Sequence, residues 1–308
     1  GPWKGYDFKS ARNAYDTFAG RSYDDAKVAK KSVKDVCPTS LEAKCKNGLV
    51  IICDDTASMG DWTATIVEKL PLLDLEMEEY LEHGEVSFAA CGDAYHDTYP
   101  LQVQKFGKGT DLKKNIEGLI IENGGGPGYR ETYSLAGLYY ARNVKLPEAE
   151  KSILIFIGDE GLYDIVNKEH AKQYAHVSLN KDITTEEVMK ELQKKYAVYI
   201  IRKAYALSEA KNALIQKQWE SYLGADHVVN LPEARRVVDV TFGILAEETG
   251  KTAYFNEELK QRQKPEQVKT VLEALKTVHV GPKLLPDPGK SVIKRAGNAT
   301  RTKSILDE

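Results

Sequence analysis

The sequence predicts an α/β protein with a doubly wound, mainly parallel sheet and helices on both faces. Short apolar runs that are typical of buried strands alternate along the chain with longer segments of helical periodicity, and this alternation favours parallel strands joined by crossover helices. Acidic residues directly follow several of the runs. In open α/β sheets binding sites lie outside the carboxyl ends of the strands, so these positions also indicate a candidate site.

The strands are expected at short apolar or alternating segments. They are predicted over residues 48–54, 85–91, 101–106, 151–158, 197–201 and 227–229. The segment KSILIFIG is the most apolar of them, as expected for a strand that is buried on both faces. The segment LQVQKF alternates and is predicted to be an edge strand.

Helical periodicity fills the intervals between these strands. Helices are predicted over residues 60–81, 110–120, 131–142, 166–174, 184–195, 208–223 and 232–249, with more helical pattern over 256–278. Pro71 is expected to kink or break the first of them. Thr184 and Glu187 have the spacing of a capping box. Pro232 stands just inside a helix start, where its missing N–H costs no helical hydrogen bond.

The chain is expected to have three parts. Residues 1–45 are predicted to be an N-terminal helical extension, which begins with a protease scar, Gly1-Pro2, from removal of a tag. Residues 46–250 carry the alternating strands and helices. Residues 251–308 are predicted to be C-terminal helices and a tail that is basic over 283–303. This tail is expected to be solvated or to dock on a partner.

The composition of the 308 residues is ordinary for a soluble globular protein, with 42% hydrophobic and 29% charged residues. The net charge of −3 gives no basic excess for binding nucleic acid. No apolar run is long enough to span a membrane, and the polar start GPWKGYDFKS predicts no signal peptide. We therefore expect a cytoplasmic protein without membrane or nucleic-acid partners, and its oligomeric state stays open.

The four cysteines fit a reduced, intracellular protein. Cys53 and Cys91 lie in strand-like runs and are expected to be core thiols. Cys37 and Cys45 could form a local disulfide, whereas no CxxC or histidine pairing indicates a zinc site.

The most informative segment follows the apolar run LVIIC. It reads Asp54-Asp55-Thr56-Ala57-Ser58, so an acid is followed by hydroxyls two and four residues later. Mg²⁺ and Ca²⁺ prefer such hard oxygen ligands. Asp54 would bring charge, whereas Thr56 and Ser58 would bring neutral oxygens on the same side of a tight turn. With few negative charges around it, the ion would stay open to a carboxylate from a partner.

This pattern resembles the metal-ion-dependent adhesion site of von Willebrand factor A domains, which has the form Asp-x-Ser/Thr-x-Ser. Residues 54–58 match it, and the MGDW that follows is similar to the version found in intracellular members. Asp159 stands where the family has its second aspartate, and Asp93 follows the second strand in the segment ACGDAYHD. The resemblance covers residues 46–250. It implies a domain that binds Mg²⁺, or Mn²⁺ or Ca²⁺, and takes a Glu or Asp from a protein partner, with Asp159 acting directly or through a water.

One position departs from the family pattern. The family places a Thr or an Asp in the middle loop, and related intracellular members read GGGD-x-PE, whereas this chain reads GGGPGYRET. Pro127 stands where the acid would be. Glu131 or Thr132 could replace it as a metal ligand, although Arg130 brings a positive charge close by. The residues expected to contact a partner are Asp93, Tyr129, Arg130 and Glu160.

Other interpretations of these residues stay open. The acids and hydroxyls at the strand ends could cap helices instead. The glycine-rich loop at 123–128 lacks the Walker pattern of a phosphate cradle and is expected to be a structural turn. Asp93, His96 and Asp97 are expected to form a hydrogen-bonded loop beside the site.

The sequence thus supports three functional hypotheses. The first is a non-enzymatic, divalent-metal-dependent protein-binding module. The second is a scaffold or assembly subunit with a degenerate site, which Pro127 favours. The third is a metal-dependent phosphohydrolase. It is the weakest, because the acids of the nucleophile pattern, Asp54 and Asp55, are adjacent and therefore point different ways.

Overall fold

A six-stranded sheet forms the centre of the computed structural model, which describes residues 31–278. Its strands are β1 (Asn47–Asp54), β2 (Gly84–Cys91), β3 (Leu101–Val103), β4 (Lys151–Gly158), β5 (Ala197–Arg202) and β6 (Val228–Asn230). The order across the sheet is β6-β5-β4-β1-β2-β3, and only the pair β2–β3 is antiparallel. The predicted α/β class with a mainly parallel sheet is confirmed, and β3 lies at an edge as predicted.

Helices connect most of these strands. They are α1 (Val33–Val36), α2 (Trp62–Lys69), α3 (Met77–Tyr80), α4 (Asp111–Glu117), α5 (Tyr133–Arg142), α6 (Lys168–Ala175), α7 (Thr185–Gln193), α8 (Glu209–Leu223), α9 (Val237–Thr249), α10 (Thr252–Arg262) and α11 (Pro265–Leu275). The predicted capping box of α7 is confirmed, because the Thr184 hydroxyl accepts from the Glu187 amide at 3.1 Å and the Glu187 carboxylate accepts from the Thr184 amide at 2.8 Å.

Two apolar clusters hold the helices on the two faces of the sheet. Successive side chains of a strand point to opposite faces, and β1 is buried on both. Leu49 and Ile51 pack in one cluster with α2, α9, α10 and α11. Val50 and Ile52 pack in the other with α5, α7 and α8. Each such side chain contributes about 1.5–3 kcal/mol by burial, which is why β1 is an unbroken apolar run.

The helix predicted over 60–81 is divided. It consists of α2, a 3₁₀ segment (Leu70–Leu75) and α3, and Pro71 lies in the first turn of the 3₁₀ segment. The ring of Pro71 removes a backbone donor and fixes φ, so the α-helix ends where the sequence predicts a break.

The prediction of a helix start at Pro232 is wrong. The Leu231 amide donates to the Arg202 carbonyl at 2.7 Å, which prolongs the β5–β6 pairing up to the proline. A 3₁₀ turn (Ala234–Arg236) follows, and α9 begins at Val237. The strand pairing therefore reaches Pro232, and the 3₁₀ turn separates the proline from the helix.

The predicted N-terminal helical extension is only partly testable, because residues 1–30 lie outside the described part. In the remainder, α1 is one turn, and the helical prediction is wrong further on. Leu41–Glu42 forms a short strand that pairs with Val144–Lys145. Cys37 and Cys45 are buried free thiols, so they form no disulfide, and the predicted core thiols Cys53 and Cys91 are buried as well.

The C-terminal helices α10 and α11 pack on α9 within the same apolar cluster as β1. Arg262 of α10 is buried and bonds to Asp239 of α9 at 2.7 Å and to Glu76 beside α3. The predicted basic tail at 283–303 lies outside the described residues. Between residues 31 and 278, no helix is both long enough and apolar enough to cross a membrane.

Candidate functional site

A cleft of about 520 Å³ opens at the carboxyl edge of the sheet. Three loops form it: the loop after β1, the glycine-rich loop before α5, and the loop between β5 and α8. Residues after β4 complete the lining. The lining residues are Thr56, Ala57, Ser58, Gly124, Gly125, Gly126, Pro127, Gly128, Glu131, Asp159, Glu160, Tyr205, Ala206, Leu207 and Lys211.

The loop after β1 begins with a buried carboxylate. Oδ1 of Asp54 accepts from the Thr56 amide at 2.9 Å and from the Thr56 hydroxyl at 2.5 Å. Oδ2 of Asp54 accepts from the Tyr133 hydroxyl at the start of α5. A 3₁₀ turn (Ala57–Met59) then brings the Ser58 hydroxyl to 3.2 Å from that of Thr56. Asp54, Thr56 and Ser58 therefore lie together, as the sequence predicts.

The end of β4 meets this loop through Asp159. The Ser58 hydroxyl donates to Oδ1 of Asp159 at 2.8 Å. Lys203, the residue after β5, donates from Nζ to Oδ2 of Asp159 at 3.2 Å and to the Ser58 carbonyl at 2.8 Å. The Lys203 ammonium therefore lies where the loop after β1 meets the end of β4.

Two further acids, Glu131 and Glu160, line the same cleft. Glu131 is 1% exposed, and its Oε2 has no hydrogen-bond partner among the described residues. The two carboxyl groups are close enough for each to affect the pKa of the other. Two short strands, Arg130–Glu131 and Gly161–Leu162, pair in parallel and hold them near each other.

The acids of the cleft resist ionisation. Burial raises the pKa of Asp54 to about 7, and the charge of Asp159 adds to the shift. Burial also raises the pKa of Asp159, although Lys203 opposes the change. The pKa of Glu131 is raised by burial and then by the charge of Asp54, and burial raises that of Glu160. Buried like charges favour protons or bound cations.

Asp97 fixes the glycine-rich loop. Its carboxylate accepts from the Gly125 amide at 2.6 Å and from the Asp93 amide at 2.6 Å. Gly125 has φ of +100°, which favours glycine, and a Cβ on Gly124 would collide with Asp97. The Gly124 carbonyl also accepts from the Ala57 amide at 2.9 Å. This loop is the structural turn that the sequence predicts.

Thr132 and Asp93 lie beside the cleft rather than in its lining. The Thr132 hydroxyl donates to the Gly92 carbonyl at 2.6 Å and accepts from the Ala94 amide at 3.2 Å. Asp93 is fully buried and bonds to Nδ1 of His96 at 2.7 Å and to the Tyr163 hydroxyl at 3.0 Å. The predicted hydrogen-bonded loop is confirmed. Of the two candidates for the third ligand, Glu131 is the one that faces the cleft.

Tyr129 and Arg130 precede Glu131 outside the lining. The Arg130 guanidinium lies 5.7 Å from the centre of the Tyr129 ring and 3.8 Å from a carboxylate oxygen of Asp164. Nζ of Lys211 lies 5.0 Å from the same ring. Asp55 is buried but is not part of the cleft lining. Its Oδ2 instead accepts from the Glu122 amide at 3.2 Å.

Sequence reasoning missed Lys203 and Tyr133 as residues of the site. Lys203 directly follows β5, so the rule that sites lie at the carboxyl ends of strands could have indicated it. Tyr133 carried a weaker signal, since it is one of several tyrosines around the middle loop. Tyr205 and Leu207 had no signal in the sequence.

The oxygen donors of the cleft fit a hard divalent cation only if hydroxyls and carboxylates bind it together. Among residues 31–278, no three His, Cys, Asp or Glu side chains form a group that could hold a metal ion. A cation here would need the hydroxyls of Thr56 and Ser58 beside the carboxylates of Asp54 and Asp159, which are oxygens that Mg²⁺ accepts. Oε2 of Glu131 is buried without a hydrogen-bond partner among the described residues, as expected for an oxygen that faces a cation site.

No protein-family model matches this chain, and no curated protein matches it in sequence. Among solved structures, one form of the pilus adhesin SpaC from Lactobacillus rhamnosus GG shares 12% identity at a TM-score of 0.48, covering 68% of this chain and 32% of the adhesin. Its open conformation has the same score and identity and covers 75% and 31%. Proximal thread matrix protein 1 from the mussel byssus shares 11% identity at a TM-score of 0.44, covering 68% and 49%. The chain thus spans a third to a half of these proteins, and the likenesses carry no argument about function.

Proposed function

We propose that this chain is a protein-binding module of the von Willebrand factor A type, which holds Mg²⁺ in the cleft and takes a carboxylate from a partner protein. The strand order supports the proposal. Strands β1 and β4 are neighbours at the centre of the sheet, and the chain adds β2 and β3 on one side of this pair and β5 and β6 on the other. Ligands of doubly wound sheets bind outside the strand ends where the direction of the strand order reverses in this way. Asp54 ends β1 and Asp159 follows β4.

One observation carries the proposal: consecutive contacts between oxygen atoms join the loop after β1 to the residue that follows β4. It runs from Oδ1 of Asp54 to the Thr56 hydroxyl at 2.5 Å, to the Ser58 hydroxyl at 3.2 Å, and to Oδ1 of Asp159 at 2.8 Å. Each hydroxyl donates its one proton to a carboxylate, Thr56 to Asp54 and Ser58 to Asp159, so no proton lies between the two hydroxyl oxygens. A divalent ion would satisfy them together.

The proposed roles follow from these positions. Asp54, Thr56, Ser58 and Asp159 would hold the ion, directly or through water, and Glu131 would be the third acid in place of Pro127. When bound, the ion supplies a strong positive charge at which a partner's Glu or Asp can bind. Glu160, Tyr129 and Arg130 would contact the partner around it. The role is binding rather than catalysis.

Thermal unfolding of the full chain tests the proposal, with EDTA compared with millimolar Mg²⁺, Mn²⁺ or Ca²⁺. A ligand that binds only the folded state raises its stability by about 2.7 kcal/mol at a hundredfold excess over Kd. For a protein of this size, we expect Tm to rise by about 5–10 °C. Ser58→Ala should abolish the rise.

Ser221→Ala is the matched control, since Ser221 is exposed near the end of α8 and bonds only within its own helix. It should keep the full metal response. No rise with any of the three ions would contradict the proposal.

A specific observation favours a second candidate, a scaffold subunit with a degenerate site. Nζ of Lys203 already neutralises Asp159 at 3.2 Å, so a lysine could stand in for the metal. The same titration separates the two candidates, because a scaffold with a degenerate site predicts no change of Tm with any of the three ions.

A further inference from the structure

Leu207 is the most exposed large apolar side chain between residues 31 and 278, at 81%. It lies in the loop between β5 and α8 and lines the same cleft as Ser58 and Asp159. Single exposed leucines are common on protein surfaces. Leu214 of α8, 56% exposed and outside the cleft lining, is an example. The position of Leu207, not its exposure alone, is therefore the informative feature.

The loop that presents Leu207 is fixed at several points. The Lys203 amide donates to the Gly158 carbonyl at 3.0 Å, which anchors the loop to β4. The Tyr205 amide donates to Oδ1 of Asn212 at 2.9 Å, and Tyr205 is buried. The Ser208 hydroxyl caps α8 by accepting from the Lys211 amide at 3.3 Å. Leu207 therefore lies at the cleft between Tyr205 and Ser208, which both make hydrogen bonds to residues of α8.

The charges of this wall complement an acidic ligand. Lys211 is exposed, lines the cleft and holds its ammonium 5.0 Å from the Tyr129 ring. With a cation at Ser58 and Asp159, the cleft would present that cation and the Lys211 ammonium as positive centres, with the exposed Leu207 side chain in the same lining. Its volume of about 520 Å³ is within the range that binds several ligand groups at once.

We infer that the partner segment carries an apolar side chain beside its Asp or Glu, and that this side chain packs on Leu207 while the carboxylate binds the cation. The inference rests on the proposed function, because the cation defines where the acid lies. It adds a specificity that the metal cannot supply, since any exposed acid can reach a metal ion. The recognised ligand is therefore an acidic–apolar peptide segment, not an isolated carboxylate.

Selection from a library of short peptides, each with a central Asp or Glu and random neighbours, tests the inference on the full chain in millimolar Mg²⁺. We expect enrichment of Leu, Ile, Met or Phe next to the acid. For a synthetic peptide made from the enriched pattern, Leu207→Ser should weaken binding about tenfold, the effect of losing one buried apolar contact. Leu214→Ser should leave binding unchanged.

The outcomes separate the inference from the proposed function. Metal-dependent enrichment of acidic peptides with no apolar preference, or equal binding by Leu207→Ser and the wild type, would overturn the inference alone. Enrichment that persists in EDTA or in Ser58→Ala would overturn the proposed function. Absence of any enrichment would count against both.

Discussion

The Ser58 hydroxyl donates a 2.8 Å hydrogen bond to Oδ1 of Asp159, 101 residues away. The two residues meet because β1 and β4 are parallel neighbours, and parallel strands of one sheet end at the same edge. Lys203 reaches the same point from β5, which is the next strand. The sheet therefore brings a hydroxyl, a carboxylate and an ammonium to one place.

Lys203 is predicted to lower the metal affinity of the cleft. Its ammonium repels a cation beside Asp159, so Lys203→Met should tighten the apparent Kd for Mg²⁺ about tenfold. The same change should lower the metal-free free energy of unfolding by about 1–3 kcal/mol, because Asp159 loses a charged hydrogen bond. Metal titrations of Tm measure the first effect and urea unfolding in EDTA the second.

Lys217→Met is the control for this prediction. Lys217 is exposed on α8 and is not part of the cleft lining, so neither quantity should change. A weaker Mg²⁺ affinity in Lys203→Met would show that the ammonium supports the metal site rather than competing with it.

The metal-free protein is predicted to lose stability as pH rises. The pKa of Asp54 is raised from 3.8 to about 7, and that of Glu160 from 4.5 to about 7. A carboxyl with a raised folded-state pKa stabilises the fold below its ordinary pKa, and this contribution is lost as pH rises through the folded value. In EDTA, the free energy of unfolding should therefore fall between about pH 4, where these acids ionise in the unfolded chain, and about pH 7, where they ionise in the folded protein.

Bound Mg²⁺ should reduce that loss, because a cation favours the ionised acids. Urea unfolding across the pH range, with and without Mg²⁺, measures the difference. Ser58→Ala should show the same fall in both conditions. A metal-free stability that rises over this range would contradict the assignment of protons to these acids.

Much of the fold could be predicted from the sequence because local signals agree with it. The apolar runs set β1, β2 and β4 to within one residue, and the capping residues Thr184 and Ser208 set the starts of α7 and α8. Asp54 and Asp159 could be predicted to meet because strand ends of a parallel sheet converge. For these strands and helix starts, a few neighbouring residues contain the whole signal.

The rest depends on contacts between distant segments. Leu231 pairs with β5 through a hydrogen bond to Arg202, so the strand pairing reaches Pro232, which no local pattern shows. The short strand at Leu41–Glu42 exists only because Val144–Lys145 lies beside it. The choice of Glu131 over Thr132 as the acid facing the cleft depends on how the loop closes around Gly92.

Gly124 is predicted to be essential to the glycine-rich loop. A Cβ there would collide with the Asp97 carboxylate, which holds the Gly125 and Asp93 amides. Gly124→Ala should therefore lower the free energy of unfolding by about 1–3 kcal/mol and weaken the metal response. Gly128→Ala is the control in the same loop, because its Cβ would have its nearest contact at 3.8 Å. Equal stability of the two variants would contradict the role of Asp97 as the support of the loop.

Arg262 is predicted to attach the C-terminal helices to the core of the sheet. It is fully buried and bonds to Oδ1 of Asp239 at 2.7 Å and to Glu76. Removing one partner of a buried ion pair leaves an uncompensated charge, so Arg262→Met should lower the free energy of unfolding by about 3–5 kcal/mol in urea. Lys260→Met, on an exposed position of the same helix, should change it by less than about 0.5 kcal/mol.

A double variant makes the same prediction sharper. Glu76→Gln removes one of the two acids that Arg262 neutralises. Because the two residues share one interaction, Glu76→Gln combined with Arg262→Met should cost less stability than the sum of the single changes, by about 0.5–3 kcal/mol. Additive costs would mean that the two residues stabilise the fold separately. In that case the attachment of α10 would rest on apolar packing against α9 and not on this buried charge network.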